Sequence, residues 1–333
     1  MIAEMQALDL FTDRGLAYRP PEREKTLGSF WNKRKLKYAD LFCGIGGFHT
    51  AAHNLKMECV FACDIDTDCR KAYEANYGLE PRSDIRTIKA EDIPDIDILL
   101  AGFPCQPFSI IGSMEGFSDA RGTLFFELAR IIEAKQPKAF LLENVRQLES
   151  HNDGKTLKRI LEILRGLGYS VEYKILNALD FGLPQKRERI LIVGFKGLAF
   201  GFEWPETIKR RRTLADLLEK QVDRRYYVSE RILQARKAAH KTELRPTIWH
   251  ENKGGNISSH PFSCALRAGA SYNYLLVDGE RRLTSREMLR LQGFPDSFKL
   301  VCTDSQTRKQ AGNAVPVPMV QAVLERMLHV RAN

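Results

Sequence analysis

The sequence has no run of about 18 apolar residues, so no segment reads as a helix that crosses a bilayer. Its first residues, Met1-Ile2-Ala3-Glu4-Met5, lack the basic-then-apolar order of a secretory leader, and a cytoplasmic location without membrane contact is the expectation. Cysteine is sparse and unpaired. Seven thiols, an odd and scattered set in a chain with no export signal, exclude a disulfide framework. Cys59, Cys63 and Cys69 lie close together, but no C-x-x-C pair or second cluster completes a tetrahedral zinc set. They read as small buried hydrophobes, and no metal is expected. The absence of internal repeats and low-complexity tracts excludes a solenoid.

What is present is an ordinary globular composition: 333 residues, 44% hydrophobic and 28% charged, enough for a sizeable core in one large domain plus a smaller one. The net charge of +9 and pI near 9.2 favour a polyanionic partner, because clustered cations attract phosphates and release their counterions. Residues 1–36 are polar and basic without periodicity and read as a surface extension. From Tyr38 short apolar runs alternate with helical stretches, as a parallel sheet covered by helices requires. Strands are predicted over 37–42, 58–63, 96–102, 139–143, 170–175 and 189–195, with helices over 47–55, 69–77, 124–135 and 156–167. The fold class is α/β, a doubly wound and mostly parallel sheet over 37–196. That rhythm is lost over 197–280, which holds Lys209-Arg210-Arg211-Arg212 and a turn-rich stretch, and this segment reads as a second, smaller domain. Residues 281–333 return to regular patterning and close with one helix over 305–328.

Four features carry chemistry. In Asp40-Leu41-Phe42-Cys43-Gly44-Ile45-Gly46-Gly47 a strand ends in a glycine-rich turn that lets backbone amides approach a nucleotide-like cofactor. A second strand ends about 20 residues on at Asp64, which reads either as a ligand for ribose hydroxyls or as a helix cap. After the third apolar strand, Pro104-Cys105-Gln106-Pro107 holds a cysteine on a stiff turn at the sheet edge where ligands collect, although most free cysteines are buried and inert. Phe140-Leu141-Leu142-Glu143-Asn144-Val145 brings a carboxylate to that same edge. In Gln185-Lys186-Arg187-Glu188-Arg189 a period of two puts Gln185, Arg187 and Arg189 on one face, as surface charge or as clamps for a carboxylate and a carbonyl oxygen.

These motifs in this order, continued by Arg286-Glu287, Gln292-Gly293-Phe294-Pro295 and Gly312-Asn313-Ala314-Val315-Pro316, resemble the DNA cytosine-5 methyltransferase family of the bacterial type. The likeness covers about residues 37–328, nearly the whole chain. It implies a methyl transfer from S-adenosylmethionine to carbon 5 of a cytosine in a specific duplex DNA sequence, within a restriction-modification system. Carbon 5 is too weakly nucleophilic to react unaided, so a thiolate first adds to carbon 6. The resemblance makes Cys105 that nucleophile and Glu143 the group that donates to ring N3, which a carboxyl does only in its protonated form. It gives Arg189 the cytosine O2 and Arg187 the orientation of Glu143 and the thiolate. No residue stands out as the base that removes the carbon 5 proton.

For the cofactor the resemblance implies Phe42, Gly44, Ile45 and Gly47 at the methionine part, Asp64 and Ile65 at the ribose and adenine, and Asp84 and Ile85 at the adenine amino group. Pro104, Leu124, Asn313 and Val315 close that pocket. The family usually has glutamate where this chain has Asp64, one methylene shorter. Because the target atom lies inside a stacked duplex, the base must be extruded. Gln106 and Ser109, with a glycine-spaced loop over 110–122, are expected to meet the DNA. So are Lys253, Gly254, Gly255, Asn256 and Arg267 in the variable segment, with Asn256 as a wedge into the vacated stack. A monomer with no obligate protein partner is expected. The rival readings are a related enzyme acting on structured RNA such as tRNA, a catalytically silent DNA-binding relative, and a nicotinamide dehydrogenase, which leaves Cys105 and Glu143 unexplained.

Overall fold

The computed structural model describes Trp31 and residues 34–104, 124–197, 201–208 and 212–330. Cys105, Gln106, Ser109 and the loop over 110–122 lie outside the described residues.

The first strands and helices alternate as β1 (Lys37–Leu41), α1 (Gly47–Asn54), β2 (Glu58–Cys63), α2 (Thr67–Tyr77), β3 (Ile98–Gly102), α3 (Leu124–Lys135), β4 (Ala139–Val145) and α4 (Lys155–Gly166). They are followed by β5 (Tyr169–Asn177), β6 (Gln185–Lys186) and β7 (Glu188–Lys196). Six of the strands form one sheet in the order β2-β1-β3-β4-β7-β5. Neighbours from β2 to β4 pair in parallel, while β7 runs antiparallel to both β4 and β5. The reversal follows from the connection. A segment too short for a helical crossover joins β5 to β7, so the chain turns back instead of crossing over.

Both faces of the sheet are covered, which explains why the strands read as continuous apolar runs rather than as alternating ones. Ile98 and Leu100 of β3 face one hydrophobic layer together with Phe48 and Ala51 of α1. Leu99 and Ala101 face the opposite layer with Leu128, Ile131 and Ile132 of α3. Helix α4 shows the same logic at helical spacing: Leu157, Ile160, Leu161 and Leu164 are buried against the second layer while Lys158, Arg159 and Glu162 stay exposed.

The rest of the chain holds α5 (Leu214–Leu217), α6 (Glu230–Ala239), β8 (Ile248–Glu251), β9 (Ile257–His260), β10 (Ser263–Cys264) and β11 (Leu275–Val277). Strands β11, β8 and β9 make a small antiparallel sheet, and β10 pairs in parallel with β6 in a separate two-stranded sheet, which ties this segment to the chain just before β7. The chain ends with α7 (Ser285–Gln292), α8 (Asp304–Asn313) and α9 (Val317–Leu328). Helix α7 starts at a reciprocal cap, in which Glu287 N–H donates to Thr284 Oγ1 at 3.1 Å and Thr284 N–H to Glu287 Oε2 at 2.9 Å.

Two expectations need correction. The single helix predicted over 305–328 is two, because Pro316 supplies no N–H and disfavours helical backbone at Val315 before it; the chain leaves the helix at Ala314 (φ −61°, ψ 147°) and is still extended at Pro316 (φ −68°, ψ 107°). The expected surface extension is anchored where it is described. Trp31 is 6% exposed within the core and its Nε1 donates to the carbonyl of Met327 at 2.9 Å. No helix among the described residues is long and apolar enough to cross a membrane.

Candidate active site

The ends of β1 to β4 and the start of the reversed β7 share one sheet edge, and the chemistry-bearing residues converge there. Beyond β1 the chain turns through Phe42 (φ +55°), Gly44 (φ +53°) and Gly46 (φ +82°) into α1. Glycine is required for space as well as for torsion. A Cβ on Gly46 would stand 2.3 Å from the Tyr77 ring, and one on Gly47 would stand 2.6 Å from Val315 Cγ2. A Cβ on Gly44 would meet nothing within 4 Å, so there the bare backbone faces open space. Asp64 holds the turn in place, accepting from the N–H of Gly44 at 2.7 Å and of Asp66 at 2.8 Å. Burial raises the Asp64 carboxyl above its ordinary range, against those two N–H groups that lower it.

A cleft of about 750 Å³ opens over this edge. All the expected cofactor residues line it except Ile45. Between two glycines of positive φ, Ile45 turns its side chain inward, where the residue is 1% exposed in the core. Ile65 lies in the wall with 66% of its apolar surface open, a platform for a flat ring. Asp84 is held by its neighbour Arg86, whose Nη2 lies 2.7 Å from Oδ2, and these hydrogen bonds keep its carboxyl below the ordinary range. Phe42, Gly47, Asn313 and Val315 line the cleft as well; Pro104 and Leu124 bracket the segment outside the described residues.

Glu143, Arg187 and Arg189 line the same cleft, and a Cβ on Gly102 would stand 3.6 Å from Glu143 Oε2 and 3.8 Å from Val315 Cγ1. Strand register places the first and last of them. Glu143 pairs with Leu191, so Arg189, two residues along β7, is its diagonal neighbour on the same face. Arg189 Nε lies 2.8 Å from Glu143 Oε1, with side-chain exposures of 13% and 9%. Glu143 Oε1 is buried and faces Arg189 as an ion contact, with no hydrogen-bond partner among the described residues.

Arg187 is held by three backbone carbonyls. Its Nη1 donates to the Leu266 carbonyl at 2.8 Å, and its Nη2 to those of Gly312 and Ala314, each at 2.9 Å. The guanidinium in ion contact with Glu143 is that of Arg189; Arg187, just before β7, ties that strand to the two segments that wall the cleft, and its Nε is buried without a partner among the described residues. Burial first, then the Arg189 charge, push its guanidinium down to about 9, which leaves it charged at neutral pH.

Sequence reasoning missed two positioning groups. Asn144, 2% exposed, donates to the Phe103 carbonyl at 2.9 Å and accepts from the N–H of Val145 at 2.8 Å, fixing the backbone two residues before Cys105. Lys309 of α8 reaches Asp66 at 2.7 Å, and both line the cleft. The asparagine after a strand-end glutamate was a visible signal; the lysine was not.

Of the residues expected at DNA, Arg267 lines the cleft, with its guanidinium 4.9 Å from the centre of the Tyr274 ring. Lys253, Gly254, Gly255 and Asn256 do not line it. They form the exposed tip of the β8–β9 hairpin, where Asn252 Oδ1 accepts from the N–H groups of Gly254 (2.8 Å) and Asn256 (3.0 Å). Among the described residues no group of three or more His, Cys, Asp or Glu side chains is placed to hold a metal ion.

The family described as C-5 cytosine-specific DNA methylase matches residues 36–329. The chain is 56% identical over 289 residues to the Type II methyltransferase M.NgoBI of Neisseria gonorrhoeae, covering 86% of this chain and 91% of that one. It is 50% identical over 299 residues to the Type II methyltransferase M.HaeII of Haemophilus aegyptius, covering 89% and 94%. The crystal structure of the S. pombe Dnmt2 methyltransferase shares the fold with a TM-score of 0.68 at 24% identity, over 88% of this chain and 98% of that one. With the doubly wound sheet, the glycine turn and the Glu143–Arg189 pair at one edge, these likenesses settle the family: the chain belongs to the C-5 cytosine-specific DNA methylases and is a DNA cytosine-5 methyltransferase.

Proposed function

We propose that this enzyme methylates one cytosine in a specific duplex DNA site as the modification half of a restriction-modification system, acting as a cytoplasmic monomer on an extruded base. S-adenosylmethionine, the cofactor that this fold and family imply, supplies an electrophilic methyl group on a sulfonium. The cleft fits it: the bare backbone at Gly44, the open face of Ile65 and the carboxylates of Asp64 and Asp84 match a cofactor with a charged chain, a ribose and a flat base. Phe42, Gly47, Pro104, Leu124, Asn313 and Val315 complete its walls.

The observation that carries the reading is the Glu143–Arg189 contact of 2.8 Å between two residues that both line this cleft. Cys105 adds its thiolate to carbon 6 of the base, and negative charge moves onto the ring. Protonated Glu143 donates to N3 and Arg189 stabilises O2, so that the charge is neutralised as it forms and carbon 5 becomes nucleophilic. Carbon 5 would take the methyl group that the bound cofactor supplies; its proton is then lost to solvent, and the electron pair left behind re-forms the ring double bond and expels the Cys105 thiolate. Residues 197–280 read the DNA, with Arg267 nearest the extruded base and Asn256 at the hairpin tip as the wedge. Gln106 and Ser109 meet the strand beside the nucleophile.

Two assays test this. Methyl-labelled cofactor with either duplex DNA or tRNA should leave label in DNA alone. A duplex with 5-fluorocytosine at the target should trap a covalent adduct with the intact chain and none with Cys105→Ser. Label confined to RNA, or the absence of an adduct with the intact chain, overturns the reading.

A further inference from the structure

A second cavity, of about 270 Å³, lies on the other side of the segment between β10 and β11. Leu266 lines both hollows, so this segment is a partition between the cleft and the cavity. Its floor is apolar: Leu266, Leu275, Leu283 and Met288 are each buried. Its rim is cationic, with Arg225, Arg282 and Arg308 contributed by three separate segments.

These guanidiniums are arranged on aromatic rings. Arg308 lies 4.3 Å and Arg282 5.5 Å from the centre of the Tyr272 ring, and Arg225 lies 5.0 Å from that of Tyr226. One carboxylate, Asp304, shares the lining. Its oxygens already accept from the Tyr226 hydroxyl at 2.7 Å and the Ser285 hydroxyl at 2.6 Å, and Arg225 is 3.3 Å away. Three cations against one committed anion leave the hollow positive. A cavity with a packing role alone gains nothing from such convergence, since like charges repel. Arg308 Nε is buried without a partner among the described residues, although Nη1 donates to the carbonyls of Ala270 (2.9 Å) and Ser271 (3.1 Å). Tyr272, 49% exposed, stands open beside it.

An apolar floor, tyrosine walls and forked cations together suit a flat ring that carries a phosphate. We propose that this cavity is a nucleotide subsite, with a base on the Leu283–Met288 floor and its phosphate among Arg225, Arg282 and Arg308. The nucleotide comes either from the bound DNA strand, a source that rests on the function proposed above, or from free mononucleotide, which does not.

The test uses the full chain with the cofactor cleft saturated by S-adenosylhomocysteine. In one arm deoxyadenosine monophosphate, a purine unsuited to the cytosine pocket, is titrated by calorimetry. Binding is expected, and Tyr272→Ala and Arg282→Gln should each weaken it about tenfold, the size of one lost stacking or phosphate contact. In the other arm a duplex scanned with 5-iodouracil is photo-crosslinked, and a bond to Tyr226 or Tyr272 identifies the strand as the source. Nucleotide binding without a crosslink identifies the free ligand. Neither result, or binding that both substitutions leave unchanged in chains with native circular dichroism, overturns the proposal; failure of the fluorocytosine adduct bears on the enzymatic reading alone.

Discussion

Arg189 Nε stands 2.8 Å from Glu143 Oε1 because β7 runs antiparallel to β4, which brings the start of one strand beside the end of the other. Had β7 been parallel, Arg189 would lie at the far edge of the sheet. The reversed strand is thus what assembles the acid and the cation at one pocket.

Glu143→Gln keeps the shape of the pocket but removes the transferable proton. Its kcat in methyl incorporation is expected to fall by roughly 10²- to 10⁴-fold, the range for loss of a positioned acid. DNA affinity by gel shift should change little. Arg189→Ala should cost a similar factor, and near-normal turnover in either variant removes both from the reaction.

Arg187 predicts a different phenotype, since its donors end on three buried carbonyls rather than on the base. Arg187→Met leaves those acceptors unpaired and should lower unfolding free energy by roughly 3 kcal/mol. Arg187→Lys should recover only part of it, because an ammonium does not span the same fork. Urea unfolding at constant m-value measures this; an unchanged midpoint would place the residue outside the scaffold.

The short-range signals were legible. Apolar runs ending in Asp64, Pro104 and Glu143 located the sheet edge, and the glycine turn announced itself by composition. Strand direction was not legible, because the same residues make an equally good β7 in either orientation, so the Arg189 contact with Glu143 stayed hidden behind the expectation that Arg187 orients the acid. The break at Ala314 was written in Pro316 and overlooked within an apolar periodicity. Trp31 could not be placed at all, since its partner Met327 lies at the opposite end of the chain.

Gly47 and Val315 test the cofactor cradle. An added Cβ at 2.6 Å from Val315 Cγ2 forces the turn away from the segment between α8 and α9, and Gly47→Ala should weaken S-adenosylhomocysteine binding by about tenfold or more, as overpacking of about 1–3 kcal/mol implies. Val315→Ala in the same chain removes the colliding methyl and should restore much of the affinity. Calorimetry that finds the double variant no better than Gly47→Ala would show that the collision is not the cause.

His49 links pH to the same turn. It follows Gly47 in α1, its Nδ1 lies 2.7 Å from the Tyr73 hydroxyl, and its ring stacks on Tyr77 at 3.9 Å. Burial, and next the charge of His53, push its imidazole down from an ordinary 6.5 to about 3. The unfolded chain therefore binds a proton below 6.5 that the folded chain refuses. Stability from this group is fully present above 6.5 and declines as pH falls toward 3, by up to about 1.4 kcal/mol per unit. Carboxylates titrate in the same window, so the diagnostic quantity is the difference between the intact chain and His49→Gln, measured by urea unfolding from pH 8 to pH 5. That difference should be flat above 6.5 and slope below it, and parallel curves throughout would mean that His49 accepts its proton in the fold.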